Sequence, residues 1–308
     1  MWGIIKLQTL YNTIIIFLYL LVKLIMKHYN EIDISKTLAE KNPKIFKFTP
    51  NLILNKLKTL IHQDEINEIL FRLKGKEGLD FIKEGLQIMN VRSKSIGFEN
   101  LPKNEGVVIV ANHPLGGMDG VTLIKELGEY RTDIQFLVND ILTQIEPFKT
   151  FFIPVNKHGS NPRESLMKID QLYQTNKCIV VFPAGLVSRK QKKKIKDLQW
   201  KKSFITRVKK HNKTIYPVHI SGQNSNRFYN TANWRKKIGI KANLEMLLLA
   251  DEMFKQKGST ITFTMGKPIL SSQLANHKND LEWAQIIKEH VYELENNPNF
   301  EFKESNFK

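Results

Sequence analysis

The sequence predicts an α/β fold: a mixed, mostly parallel central sheet flanked by helices, with an N-terminal helical, membrane-associating segment ahead of it. Three observations predict it. From about residue 95 onward, short apolar runs alternate with amphipathic helical stretches, the pattern of a sheet covered by helices on both faces. One of those runs, 107–111, stops abruptly at Asn112-His113-Pro114 and passes through two glycines into a helical pattern. At the other end of the chain, residues 7–22 carry no charge and are crowded with Leu, Ile, Tyr and Phe.

A chain of 308 residues has room for one large domain or two smaller ones. Its 42% apolar and 25% charged residues are ordinary for a globular protein. Its charge is not: 47 Lys and Arg against 30 Asp and Glu give +17. Such a surface favours an acidic partner, whether nucleic acid, anionic lipid headgroups or an acidic carrier protein. The single cysteine, Cys178, excludes an intrachain disulfide framework and a Cys-rich zinc site. It sits in an apolar run and reads as a buried structural thiol. There is no internal repeat, no Gly-rich phosphate loop and no zinc-ligand spacing.

Taken in order, residues 1–27 form a hydrophobic segment flanked by Lys6, Lys23 and Lys27. The run is short for a span, which needs ~20 mostly apolar residues. Three readings stand: an interfacial anchor, a true span, or an upstream extension or core helix. Residues 28–94 are helical. Leu52, Ile53, Leu54, Leu57, Leu60 and Ile61 recur at helical spacing with Lys56 and Lys58 between them. This basic amphipathic region can lie on a membrane or pack against the domain that follows. That domain covers 95–270, and 271–308 form a C-terminal helix and tail.

Within 95–270, strands are expected at 107–111, 134–138, 151–155, 178–182, 214–220 and 260–264. Helices are expected at 120–130, 162–175, 197–210 and 240–256, and a last amphipathic one at 280–294. Sites on such sheets form in the loops beyond the strand ends.

The bent turn after residue 111 holds His113 and Asp119. A histidine oriented by a carboxylate is a standard device for taking a proton from a hydroxyl. Gly116 and Gly117 are expected to fold the turn, using backbone angles closed to other residues, so that carboxylate and imidazole meet. Their N–H groups could face a developing oxyanion. Two plainer readings stand beside this one. His113 could be an ordinary turn histidine, and Asp119 is well placed to N-cap the following helix.

The segment resembles the first motif of the glycerolipid acyltransferase superfamily, of the lysophosphatidic acid acyltransferase type, in which a His and an Asp form the base. That family separates them by four residues; here five intervene. The spelling Asn-His-Pro-Leu-Gly-Gly-Met-Asp-Gly is similar to a bacterial subgroup labelled hemolysin and implicated in O-acylation of ornithine and glycine lipids. Further motifs follow in the family's order. Phe182-Pro183-Ala184-Gly185 with Ser188 and Arg189 resembles the third motif, with Ala184 in place of its acidic residue. The strand before Lys157 resembles the second, whose Arg binds a phosphate; Lys157, or Arg163 nearby, is the candidate here. Ile215 to Ile220 resembles the fourth, and Trp200-Lys-Lys-Ser203-Phe204 resembles a family helix start.

The resemblance implies an O-acyltransferase that moves a fatty acyl group from an acyl carrier protein or coenzyme A thioester to a lyso-lipid hydroxyl. His113 would be the general base and Asp119 its partner. Lys157, Arg163, Phe182, Pro183, Gly185, Ser188 and Arg189 would meet substrate. It implies no bound cofactor and no metal, with acyl-ACP or acyl-CoA as co-substrate. Membrane lipids and acyl carrier protein would be the partners, at the cytoplasmic face of the inner membrane. Nucleic acid is not an expected partner.

The run from 189 to 213 holds twelve basic residues and one acid, Asp197. It reads as a solvated face, a carrier-protein dock, a lipid contact or, least favoured because no nucleic-acid motif accompanies it, a nucleic-acid contact. Trp200 and Phe204 suit a membrane interface or a core face equally. His158, His211 and His219 show no partner in the sequence. The alternative reading of the whole chain is a non-catalytic lipid- or nucleic-acid-binding protein on the same scaffold.

Overall fold

The computed structural model describes residues 32–41, 43–138, 146–155, 162–192, 194–240, 243–274 and 277–307. The expectations for residues 1–27, Lys157 and His158 lie outside these.

Strand β2 (Val107–Ala111) shows why a sheet forms here. All five residues are buried, Val107, Ile109 and Ala111 in one apolar cluster and Val108 and Val110 in another. A strand buried on both faces is the signature of a central position. Each Val or Ile so buried contributes roughly 1.5–3 kcal/mol of transfer free energy. The sheet runs β1 (Arg92–Ile96), β9 (Thr260–Met265), β8 (Thr214–Ile220), β2, β5 (Cys178–Val181), β3 (Ile134–Val138) and β4 (Phe152–Pro154). Neighbours are parallel except β8 and β9. The sheet is therefore mixed and mostly parallel, as expected. Strands β2, β3, β4, β5 and β8 all end at one edge.

Helices α5 (Gly78–Ile88) and α6 (Gly117–Leu127) cover one face, through Ile82, Leu86, Leu123, Ile124 and Leu127. The other is covered by α7 (Pro162–Gln174), α8 (Ser203–Lys210) and α11 (Asp280–Glu293), through Tyr173, Phe204, Val208, Trp283 and Val291. Trp200 and Phe204 are fully buried there, which settles them as core residues. Cys178 is buried as well, and burial pushes its thiol up to about 12.

Several stretches differ from expectation. Residues 197–210 were expected to be helical throughout, yet helix α8 begins only at Ser203. Just upstream, β6 (Arg189–Gln191) and β7 (Lys194–Lys196) form a small antiparallel hairpin, and Asp197 follows it directly. Helix α9 (Asn226–Lys237) was not expected, and the stretch expected at 240–256 is a 3-10 turn plus short helix α10 (Leu249–Phe254). The basic run finds acids on its neighbours: Lys209 meets Asp280 at 3.0 Å and Lys210 meets Asp170 at 2.7 Å. His211 also reaches Asp170, at 3.0 Å.

The N-terminal helices pack onto this domain. Helix α3 (Asn51–Leu60) and α4 (Gln63–Arg72) turn at His62, which adopts a left-handed backbone. Its ring stacks on Phe254 and reaches Asp251 at 3.2 Å. Leu60 packs beside Phe228 and Tyr229. Ile61 joins Ile32 and Ile34 under Ala250. No helix among the described residues is long and apolar enough to cross a membrane.

Candidate active site

The turn after β2 is held from every side. Asn112 takes the place of one more strand residue: its side-chain amide donates to Ile220 O at 2.9 Å and accepts from Ile220 N at 2.7 Å. This side chain satisfies β8 where the β2 backbone bends away, so the bend costs no unpaired backbone group. His113 follows at the sheet's carboxyl edge. Its carbonyl accepts from Ser188 N at 2.8 Å, and its N–H donates to Asp197 Oδ1 at 3.2 Å.

Asp119 Oδ2 lies 2.9 Å from His113 Nδ1. It also accepts from the N–H groups of Leu115 at 2.8 Å and Gly116 at 3.1 Å. The six-residue step is thus closed by one oxygen collecting three donors. Asp119 is the third residue of α6 and reaches back over the helix start. It is not the N-cap residue; Gly116 is, with φ 77° and ψ −129°. The extra residue is absorbed by Gly116 alone. Gly117 lies in the first turn of α6 with no positive φ and open space where a Cβ would stand. The Gly116 N–H is committed to Asp119 and is not available to an oxyanion.

Asp119 is fully buried, and its Oδ1 has no hydrogen-bond partner among the described residues. Burial pushes its carboxyl above the usual range, against the pull of the imidazole and the Leu115 N–H. A carboxylate on Nδ1 fixes the tautomer that keeps its proton there and leaves Nε2 as a lone-pair acceptor. The His113 side chain is 18% exposed, so Nε2 can be reached. Phe182 stacks on the imidazole, ring centroids 4.3 Å apart and planes 18° from parallel. It locks the ring's tilt.

The other expected site residues divide. Phe182 lies against His113, and the tight turn at Pro183 and Gly185 follows it in the chain; Gly185 has φ 64° and its N–H returns to Phe182 O. Ala184 is buried in the apolar cluster with Trp200 and Phe204, where a carboxylate would lose its hydration. Ser188 does not face substrate: it is buried, with Oγ 2.5 Å from Asp197 Oδ1. Arg189 does not either. It is buried, pairs with Glu245 at 2.7 Å and lies over the Phe228 ring. Arg163 is exposed in the first turn of α7. Lys157 lies outside the described residues. Sequence reasoning missed Asp197 as a member of this cluster; its one signal was to be the sole acid in a basic run. Among the described residues no group of three or more His, Cys, Asp or Glu side chains is gathered to hold a metal ion.

A histidine held by a buried carboxylate, at the carboxyl edge of a mostly parallel sheet, suits proton removal from a hydroxyl. The profile of the acyltransferase family matches residues 36–300, and the chain belongs to that family and is an acyltransferase. It is 42% identical over 264 residues to the lyso-glycine lipid O-acyltransferase of Phocaeicola vulgatus, covering 85% of this chain and 95% of that one. To the lyso-glycine lipid O-acyltransferase of Bacteroides thetaiotaomicron it is 41% identical over 264 residues, covering 85% and 97%. Among solved structures, the 1-acyl-sn-glycerophosphate acyltransferase PlsC of Thermotoga maritima matches 78% of this chain and 95% of its own with a TM-score of 0.46 and 16% identity.

Proposed function

We propose that this chain moves a fatty acyl group from a thioester, carried on acyl carrier protein or coenzyme A, to the hydroxyl of a lyso-amino-acid lipid of the glycine type. The similarity of nearly the whole chain to two lyso-glycine lipid O-acyltransferases favours that acceptor over a lysophospholipid. The 2.9 Å contact between His113 Nδ1 and Asp119 Oδ2 is the observation that carries the mechanism.

In this reading Nε2 of His113 takes the proton of the acceptor hydroxyl as its oxygen attacks the thioester carbonyl. The tetrahedral intermediate places negative charge on the former carbonyl oxygen, and the Gly117 N–H at the start of α6 is the donor assigned to it. Collapse breaks the carbon–sulfur bond. The imidazolium returns its proton to the leaving thiolate, giving an ester and a free thiol. Asp119 holds the tautomer and meets the imidazolium charge. No covalent enzyme intermediate and no bound cofactor are required.

The chain acts at the cytoplasmic face of the cell membrane in this reading, drawing its acceptor from the bilayer. Phe48, Leu52, Ile53 and Phe71 support it: four large apolar side chains of the N-terminal helices exposed beside Lys47 and Lys56. Expression in a host supplied with lyso-glycine lipid should yield the diacylated species, read by mass spectrometry of lipid extracts. His113→Ala should lower transfer by about 10²–10⁴-fold while the protein stays folded. An active His113→Ala variant sinks the mechanism, and failure to acylate lyso-glycine lipid while acylating another lyso-lipid sinks the acceptor.

A further inference from the structure

We propose that Asp197 is a positioning residue for His113, clamping the turn that carries the base to the loop that follows the Phe182 strand exit. The proposal rests on reading His113 as the base and names what holds it there.

The Asp197 side chain is fully buried. Its Oδ1 accepts from the His113 N–H at 3.2 Å and the Ser188 hydroxyl at 2.5 Å. Its Oδ2 accepts from the Trp200 indole N–H at 2.8 Å. Its own N–H donates to the Tyr292 hydroxyl at 2.7 Å, which ties the clamp to α11. Ser188 completes the loop by donating its N–H to the His113 carbonyl at 2.8 Å. The backbone of His113 is therefore gripped at both its N–H and its carbonyl by one small network. Its ring is gripped separately, by Asp119 and Phe182.

Burying a carboxylate is expensive, and a neutral side chain would fill the same space more cheaply. Here the hydrogen bonds to the carboxylate come from neutral donors, and no salt bridge reaches it among the described residues; Lys288 acts on it only at longer range. One of those donors is the backbone of the very residue whose ring must be aimed. A shift of about 1 Å in the base can cost on the order of 100-fold in rate, so a clamp of this kind acts on the chemical step. The neighbouring carboxylate, Asp119, holds the ring and the N–H groups of Leu115 and Gly116 but does not touch the His113 backbone.

The test compares the full-length protein with Asp197→Asn, which keeps the volume and removes the charge and one acceptor. Two readings are taken: steady-state acyl transfer, and the ¹H–¹⁵N spectrum of protein labelled at histidine nitrogen. The expected result is a fall in kcat of about 10–100-fold with KM within about threefold. The Nδ1 proton of His113, shifted downfield by its bond to Asp119, should broaden or move, while the buried ring of His290 keeps its signal. A merely structural loss would disturb that ring as well; His219 is no control, because its ring packs edge-on against Tyr292, which is bonded to Asp197. The proposal is overturned if kcat stays within about threefold, or if it falls with the His113 signal unmoved. Should Asp197→Asn not fold, Ser188→Ala decides: it removes one donor from Oδ1 and should cost kcat about threefold to tenfold with the same signal change, and an unchanged kcat or signal overturns the clamp. The spectrum reads the geometry of His113 whether or not that residue is the base, so failure of the clamp and failure of the mechanism are told apart.

Discussion

Two buried polar clusters lie side by side in this fold, joined at the consecutive residues Ser188 and Arg189, and they end differently. In the first, Asp119, Asp197 and Ser188 converge on His113 and leave its Nε2 with no hydrogen bond to the described residues. In the second, Arg189 and Arg235 close on Glu245. Glu245 Oε1 meets Arg189 at 2.7 Å and Arg235 at 2.9 Å, and Oε2 meets Arg235 at 2.5 Å. Arg189 also donates to the Val187 carbonyl. Burial raises the Glu245 carboxyl, but the two guanidiniums outweigh it and hold it below the usual range. The second cluster satisfies itself and offers nothing to a ligand. The first leaves two atoms unsatisfied among the described residues, Asp119 Oδ1 sealed inside and His113 Nε2 on a side chain that stays partly exposed. Charge and burial alone do not separate a site from a staple; what separates them is whether the network closes.

Breaking the open cluster should therefore cost activity and breaking the closed one should cost stability. Asp119→Asn keeps the shape but removes the carboxylate that fixes the His113 tautomer. Acyl transfer should fall by about 10²–10⁴-fold, with a loss of about 1 kcal/mol from the weakened cap at the start of α6. Lipid assay and urea unfolding measure the two. Glu245→Gln should do the reverse. It leaves two buried guanidiniums without a countercharge, at about 3–5 kcal/mol of unfolding free energy, while kcat per folded molecule is retained. A Glu245→Gln protein that unfolds like the parent but fails to transfer acyl groups would erase the distinction.

The sequence discloses the first cluster better than the second, for a physical reason. An apolar run ending at Asn112-His113-Pro114, with glycines and an aspartate before a helical pattern, is local information: the strand and turn form where it places them, and the helix expected at 120–130 forms at Gly117–Leu127, taking Asp119 into its first turn. The contacts that aim His113 are not local: Asp197 is 84 positions away. Arg189 finds Glu245 56 positions later, so a buried cation reads in sequence like a surface or ligand contact. Helix α9 was hidden because its polar, basic composition lacks an apolar period. Its cap was nonetheless visible in principle: Ser225 Oγ accepts from Phe228 N. Gly117 was credited with freedom that only Gly116 uses, since which of two adjacent glycines carries the kink depends on where the helix starts.

A third kind of buried polar group sharpens the contrast by being neither open nor charged. His219 and His290 are both buried, and burial holds each ring down to about 4 from its ordinary 6.5. Folded, they are neutral; unfolded, each takes up a proton near pH 6.5. The unfolded chain therefore binds more protons between the two values. Stability is full above about pH 6.5 and is lost as pH falls toward 4, by up to about 3 kcal/mol per ring. Urea unfolding at pH 7 and pH 4.5 checks this, and His219→Gln should flatten the slope.

The smallest effects fall on the turn itself, where the two glycines should respond in opposite ways. Gly116→Ala places a Cβ on a backbone at φ 77°, 3.1 Å from Leu249 Cδ2 and 3.4 Å from Val187 Cγ2. The strained backbone costs roughly 1–3 kcal/mol, and relief would come by moving the Gly116 N–H off Asp119, so activity should drop with stability. Gly117→Ala meets open space at an ordinary helical angle. Alanine keeps the Gly117 N–H assigned to the oxyanion, so transfer should stay intact while stability rises by about 0.4–1 kcal/mol through the unfolded chain; a fall in kcat with stability raised would instead mean that the added methyl crowds the thioester carbonyl. Thermal melts and kinetics on the two alanine variants distinguish these outcomes in one experiment.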